Sequence, residues 1–400
     1  MRKLVEPLVE GMFTLSGGLT SLVIVLIVVF LFKEGSGLFH SPAVESGYVL
    51  CVHPSNPVKK LLPVEVKQIF DSDISSWKEV GGEEGEIRLF RFEEIFSLYS
   101  EEELGGESYS LLPERLAEVI GSNKDIIAFL PERYVVADAR IKQLESASIG
   151  ILDFFGGKEW IPTATPSPLF GVLPLIAGTL WVSFFAILIA LPFGLGVAIY
   201  LSELANERTR KMLKPAIELL AGIPSVVYGF FGLVALVPLI QKTLNLPVGE
   251  TAFAGALILA VMALPTIITI GEDSLRNVPN IMRESSLALG ASRWQTIYRV
   301  VVPCAASGIM AAVVLGIGRA VGETMAVLMV TGNAAVIPHS LFEAVRTIPA
   351  TIAAELGEAP SGGAHYQSLF MLGCILFGLT MLISICAEVI TKRQPTNKGI

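Results

Sequence analysis

Six stretches of this chain are apolar for long enough to cross a hydrocarbon layer, and nothing else in it restricts folding as severely. They run at about Leu15–Phe32, Phe170–Leu201, Pro215–Ile240, Ala252–Ile270, Pro303–Val330 and Ser368–Ile390. A spanning helix needs roughly 17 to 25 such residues. Inside a bilayer every backbone N–H and C=O must be satisfied within the segment, so runs of this length predict transmembrane helices, six in all. Composition agrees: 52% of the 400 residues are hydrophobic and 16% charged, with a mean hydropathy of +0.64, which excludes an ordinary soluble protein.

Charge is divided unevenly. Between Glu34 and Pro168 lie 23 acidic and 12 basic residues, while the rest of the chain is slightly basic. A soluble, acidic domain therefore follows the first helix. Lys and Arg in short loops mark the cytoplasmic side. Arg2 and Lys3 precede the first run, Arg208, Arg210, Lys211 and Lys214 separate the second from the third, Arg276, Arg283, Arg293 and Arg299 the fourth from the fifth, and Lys392, Arg393 and Lys398 follow the sixth. The remaining short loops hold only Lys242 and Arg346. This alternation predicts cytoplasmic termini and an external acidic domain. Glu6 and Glu10 in the leading segment, with no A-x-A site after the first run, favour an uncleaved helix over a signal peptide. Cys51 is the one cysteine in the external segment, so no disulfide forms within it.

The chain lacks a G-x-x-x-x-G-K-[ST] phosphate loop, and its largest predicted cytoplasmic loop is too short for a catalytic domain, so ATP-driven work needs a partner. "GIGRAVG" has the wrong spacing for a dinucleotide fingerprint and lies in a membrane run. His40, His53, His339 and His365 are scattered. No metal site, cofactor or nucleic-acid partner is expected; lipid is.

Between the fourth and fifth runs the chain reads "RESSLALGASRWQTIYRVVVP", residues 283–303. The pattern predicts helix, glycine turn, helix, then a proline opening the next span. Glu284, Ser285, Ser286 and Gly290, followed by Val300, Val302 and Pro303, resemble the E-A-A…G…I-x-L-P loop of ABC importer permeases, with serines in place of two alanines. The resemblance implies an α-helical integral membrane protein of the type I ABC importer permease fold, in which residues 272–303 couple to a dimer of ATP-binding subunits. The bland alternative is a basic amphipathic helix lying under lipid headgroups.

"AIELLAGIPSVVYGFFGL" (216–233), residues 272–303 and "GRAVGETMAVLMVTG" (318–332) are similar to the phosphate importers of the Pst system, over roughly residues 150–400. Met-Ala-Val after Gly-Glu-Thr resembles the C-type permease subunit. Such a resemblance implies a second permease subunit, an ATP-binding dimer, a soluble phosphate-binding protein, phosphate as cargo, and a prokaryotic cytoplasmic membrane.

Arg319 and Glu323 lie inside the fifth run, four apart, a spacing that puts both on one helical face. An arginine at the centre of a membrane helix costs about 2.5 to 3.5 kcal/mol on insertion scales, and such groups face a bundle interior or an aqueous path. Either the two are a structural ion pair, or they line the substrate pathway, as the resemblance implies. A guanidinium suits an oxyanion, and a carboxylate suits the P–OH that phosphate retains and sulfate lacks. A further possibility is that Glu323 holds Arg319 until phosphate displaces it.

The expected organisation is residues 1–39 as terminus and first helix, 40–168 as an extracytoplasmic insertion, and 169–400 as a five-helix permease core. Within the insertion, "YVLCVH" and "EIRLFRF" read as strands and "PVEVKQIFDS" as a helix. "NPVKKLLPVEVKQIFDSDISSWKEVGG" and "SNKDIIAFLPERYV" resemble stretches of phosphate-binding proteins, implying a partial α/β lobe. The Gly-Ser-Gly-Thr loop that holds phosphate in those proteins is missing after Arg91. Competing functions are a phosphate-sensing receptor, a permease for another oxyanion, and an anchored external enzyme. Against the receptor stands the absence of a sizeable cytoplasmic domain, and against the enzyme the absence of a catalytic constellation.

Overall fold

A computed structural model describes residues 2–45, 47–136 and 138–393. Lys398 lies outside them, as do the side chains of Arg2, Lys3, Glu6, Glu10, Lys392 and Arg393. The chain forms two compact units. One holds the segment up to Leu31, Leu173–Glu358 and the segment from Leu369; the other holds Phe32–Val172 and Ala359–Ser368.

Helix α1 (Arg2–Ser36) opens the chain. The second unit is an α/β sandwich. Strands β1 (Tyr48–Val52), β2 (Arg88–Arg91), β3 (Ile126–Pro131) and β4 (Lys142–Gln143) form a sheet in the order β2-β3-β1-β4. β1 runs antiparallel to β3, with Leu50 opposite Phe129 and Cys51 opposite Ala128. Successive side chains point to opposite faces. Leu50, Val52 and Ile127 therefore meet Val66, Ile69 and Phe70 of α2 (Pro63–Phe70) on one face. Cys51, Ile126, Ala128 and Leu130 meet Leu112, Leu116 and Ile120 of α3 (Leu112–Ser122) on the other. Burial pushes the Cys51 thiol up to about 12, which leaves it a small core hydrophobe. After β3 the chain enters a 3-10 turn, Glu132–Tyr134, through Pro131.

In the first unit the long helix α4 (Leu173–Ile199) is followed by an amphipathic helix α5 (Glu207–Ala221) and by α6 (Ser225–Phe231). The third span, expected from Pro215, starts only at Ser225 and runs to Leu244. Its start is displaced by Gly222-Ile223-Pro224, where the proline lacks an N–H and pushes the residue before it out of the helical region. Helix α7 (Ala252–Arg276) has 61% of its apolar window buried, against none for the N-terminal span, and is the central helix. Lipid tails are as apolar as leucine, so close approach of helices depends on small residues. Gly194 of α4 faces Ile267 of α7, and Ala198 faces Gly271.

Helices α8 (Asn280–Ala288) and α9 (Arg293–Thr296) lead into α10 (Ala306–Gly322) and α11 (Met325–Val330). The single run expected over Pro303–Val330 is interrupted twice. It bends by 69° between Cys304 and Ala306. It stops again at Glu323, whose backbone is extended with φ −72° and ψ 132°. Helices α12 (Ile348–Glu355) and α13 (Ala364–Arg393) are the last helices among the described residues. Among the described residues five helices are long and apolar enough to cross a membrane, or six when the bent pair counts as one span.

A close approach joins α6 to α11. A Cβ on Gly229 would lie 2.9 Å from the Cα of Ala326 and 2.8 Å from the sulfur of Met329. Gly196 has nothing within 4 Å of that position. Gly229→Val is expected to destabilise the detergent-solubilised protein by about 1 to 3 kcal/mol through overpacking, read as a lowered thermal-unfolding midpoint, while Gly196→Ala leaves the midpoint unchanged or higher.

Candidate functional site

The 280–304 segment is built by local rules. Pro279 precedes α8, which ends in a Schellman turn: the Gly290 N–H donates to the Leu287 carbonyl at 3.0 Å and the Ala291 N–H to the Ser286 carbonyl at 3.2 Å. Gly290 has φ +85°, a conformation that glycine adopts without a Cβ penalty. Ser292 then caps α9, its Oγ accepting from the Gln295 N–H at 3.2 Å while the Gln295 side chain accepts from the Ser292 N–H at 2.8 Å. Across the turn the hydroxyls of Ser286 and Thr296 lie 3.0 Å apart. Ser286 thus binds the two short helices together, a bond that alanine there would not make. Glu284 and Ser285 are exposed, and so are the large apolar side chains of Leu289 (89%) and Trp294 (61%).

The base of this segment is fastened by residues whose sequence showed only loop charge. Arg283 donates to both carboxylate oxygens of Glu203, at 2.9 and 3.2 Å, to the carbonyl of Leu275 at 2.8 Å, to Asn280 Oδ1 at 3.3 Å and to the Val278 carbonyl. Glu203 lies in the π-helical turn Tyr200–Leu204 that ends the α4 span. One turn before the end of α7, Glu272 is fully buried. Arg210 approaches its Oε1 at 2.7 Å and Lys214 its Oε2 at 2.9 Å, and Arg276 stands 3.9 Å away. Lys214 also reaches Asp273 at 3.0 Å. These contacts hold α5 to α7. A carboxylate at the end of an apolar run beside a four-cation loop was the available signal for them.

Arg319 and Glu323 are placed differently from the expected single face. Helix α10 carries Arg319 but ends at Gly322, so the four-residue spacing no longer brings the two together. Glu323 instead turns its carboxylate toward the first turn of α11, with Oε1 3.5 Å from the Ala326 N–H. Arg319 is half-buried and, among the described residues, joins none of the ion pairs. Arg346 does find a carboxylate, Glu355, at 2.6 Å.

This arrangement of close-packed membrane helices with a glycine-turned, apolar-tipped loop belongs to a membrane-spanning transport subunit. Residues 190–394 match the family described as binding-protein-dependent transport system inner membrane component, and the chain belongs to that family. It is 42% identical over 243 residues to the probable ABC transporter permease protein YqgH of Bacillus subtilis, covering 61% of this chain and 78% of that one. It is also 42% identical over 265 residues to the phosphate transport system permease protein PstC of Mesorhizobium japonicum, covering 62% and 80%. Against the PstC of Pasteurella multocida the identity is 36% over 293 residues, covering 68% and 90%.

A side chain at position 290 would meet open space, so its cost is conformational alone. Gly290→Val is expected to weaken the turn by about 1 to 3 kcal/mol. Limited trypsin digestion, followed by mass spectrometry of the fragment ending at Arg293, should then show faster cleavage than in the parent protein.

Proposed function

We propose that this chain is the permease subunit of an importer for inorganic phosphate. It provides the path and does no chemistry itself, since ATP hydrolysis belongs to partner subunits. The observation that carries the choice of cargo is Arg319: a guanidinium in an apolar helix with no carboxylate partner among the described residues is available to an anion. The names of the relatives point the same way. Glu323, held at the helix break, supplies an acceptor for the P–OH of phosphate and repels sulfate, which has no such proton.

In this proposal both termini and the 272–303 loop face the cytoplasm of a prokaryotic cell. Glu284, Ser285, Ser286 and Gly290 form the surface that docks on a dimer of ATP-binding subunits, with Leu289 and Trp294 as the apolar anchors of that contact. A second, related permease completes the path beside Arg319, and a soluble phosphate-binding protein delivers the cargo from outside. Residues 40–168 stand outside the membrane and meet that protein, their acidity complementing a basic face on it.

Arg319→Ala is expected to lower phosphate uptake by roughly ten- to a hundredfold, the loss of a charged hydrogen bond, without reducing the amount of protein in the membrane. Because Arg319 and Glu323 do not pair, adding Glu323→Ala should not restore transport; recovery in the double variant would remove Arg319 from the path. Calorimetric titration of the full-length Arg319→Ala chain with phosphate should show no binding at micromolar concentrations, since the acidic surface of residues 40–168 repels a dianion unless N–H groups converge on it.

A further inference from the structure

We propose that Arg283 and Glu203 are positioning residues that hand the movement of the docking segment to the end of the α4 span. The inference rests on the proposal that residues 280–304 receive the ATP-binding subunits. Any push on this segment reaches α7 through the chain itself, by way of Asn277–Pro279. No such covalent route leads to α4, because Glu203 is 80 residues away in sequence. The guanidinium of Arg283 closes that gap. Its Nε and Nη2 grip the two oxygens of one carboxylate, while Nη2 and Nη1 hold the carbonyls of Leu275, in the last turn of α7, and Val278, just past it. One planar group is thereby bonded to three elements at once: its own helix α8, the end of α7, and the end of the α4 span.

Geometry favours a transmitting role over a casual surface pair. The side chains are 18% and 10% exposed, so water screens their attraction little. A two-pronged grip resists rotation as well as separation, which a lysine's single point charge would not do. Glu203 sits in a π-helical turn, where the backbone departs from regular helix and re-aims its side chain. The opposite end of the segment, with Leu289 and Trp294, is left exposed. A fixed base and a free tip make a lever. A second fastening extends it, because Glu272, just before Leu275 on α7, holds Arg210 and Lys214 of α5. The ends of the α4 span, α5 and α7 then move together.

The test uses the complete importer, copurified on a tag from this chain and reconstituted in vesicles, with phosphate taken up per ATP hydrolysed as the readout. Arg283→Ala and Glu203→Ala are each expected to lower that ratio by about tenfold, and the double variant by no more than either alone, because one link is cut in all three. Copurification of the ATP-binding subunits should stay within about twofold of the parent complex, as the exposed tip is untouched. An unchanged ratio in the single variants overturns the proposal. So does a hundredfold, multiplicative loss in the double variant, or a loss of copurifying subunits that accounts for the defect, since the pair would then merely hold the segment's fold. Gly290→Leu in the same vesicles separates this from the underlying assignment. If it too leaves the ratio and copurification intact, the docking segment is misassigned; if it uncouples while the Arg283 and Glu203 variants do not, only the link falls.

Discussion

A helix surrounded by hydrocarbon gains nothing from hiding leucine, so contact between helices must come from atoms that fit closely. The first unit depends on this. Its central helix, α7, is rich in alanine and glycine where it meets its neighbours, with Ala254, Gly255, Ala256, Ala260 and Ala263 all buried. Gly255 lets Thr331 approach and Gly194 receives Ile267. Gly232 seats against both Val330 and Ile258, so residues 232 and 330 are drawn onto α7. Large apolar side chains such as Phe184, Phe193 and Phe230 point outward instead.

Charge follows a second rule. A buried carboxylate survives only where cations or donors converge on it. Glu272 has two close cations, and Glu355 has Arg346 at 2.6 Å. Among the described residues Arg319 joins no ion pair, and an unpaired charge in an apolar run is costly to keep. Polar groups that a fold would be cheaper without are the ones that function explains best.

Much of this was legible beforehand. Six apolar runs announced the helices, and "YVLCVH" and "EIRLFRF", rich in β-branched and aromatic residues, read as strands. The turn between α8 and α9 was visible in Gly290, since a sharp reversal between two short helices favours a residue that accepts positive φ. What stayed hidden was tertiary. Hydropathy counts residues and does not locate helix breaks, so the stop at Glu323 leaves no trace in it, and the shared helical face that the four-residue spacing suggests for Arg319 and Glu323 is lost at that break. Arg283 and Glu203 looked like loop charge because a partner 80 residues away leaves no local trace. Ser286 looked like a tolerated replacement for alanine, although its hydroxyl meets Thr296.

The second unit is assembled from segments far apart in the chain, and this sets a schedule for its birth. Its main body ends at Val172, yet Ala359–Ser368 belongs to it as well, and the Ser41 hydroxyl donates to Gln367 Oε1 at 2.7 Å across 326 residues of sequence. At about 5 to 20 residues per second, a ribosome needs roughly 16 to 65 seconds to travel that distance. Throughout that interval Ser41 lacks this partner. Four further membrane crossings must be threaded before the last piece arrives, so the unit closes only when synthesis is nearly finished.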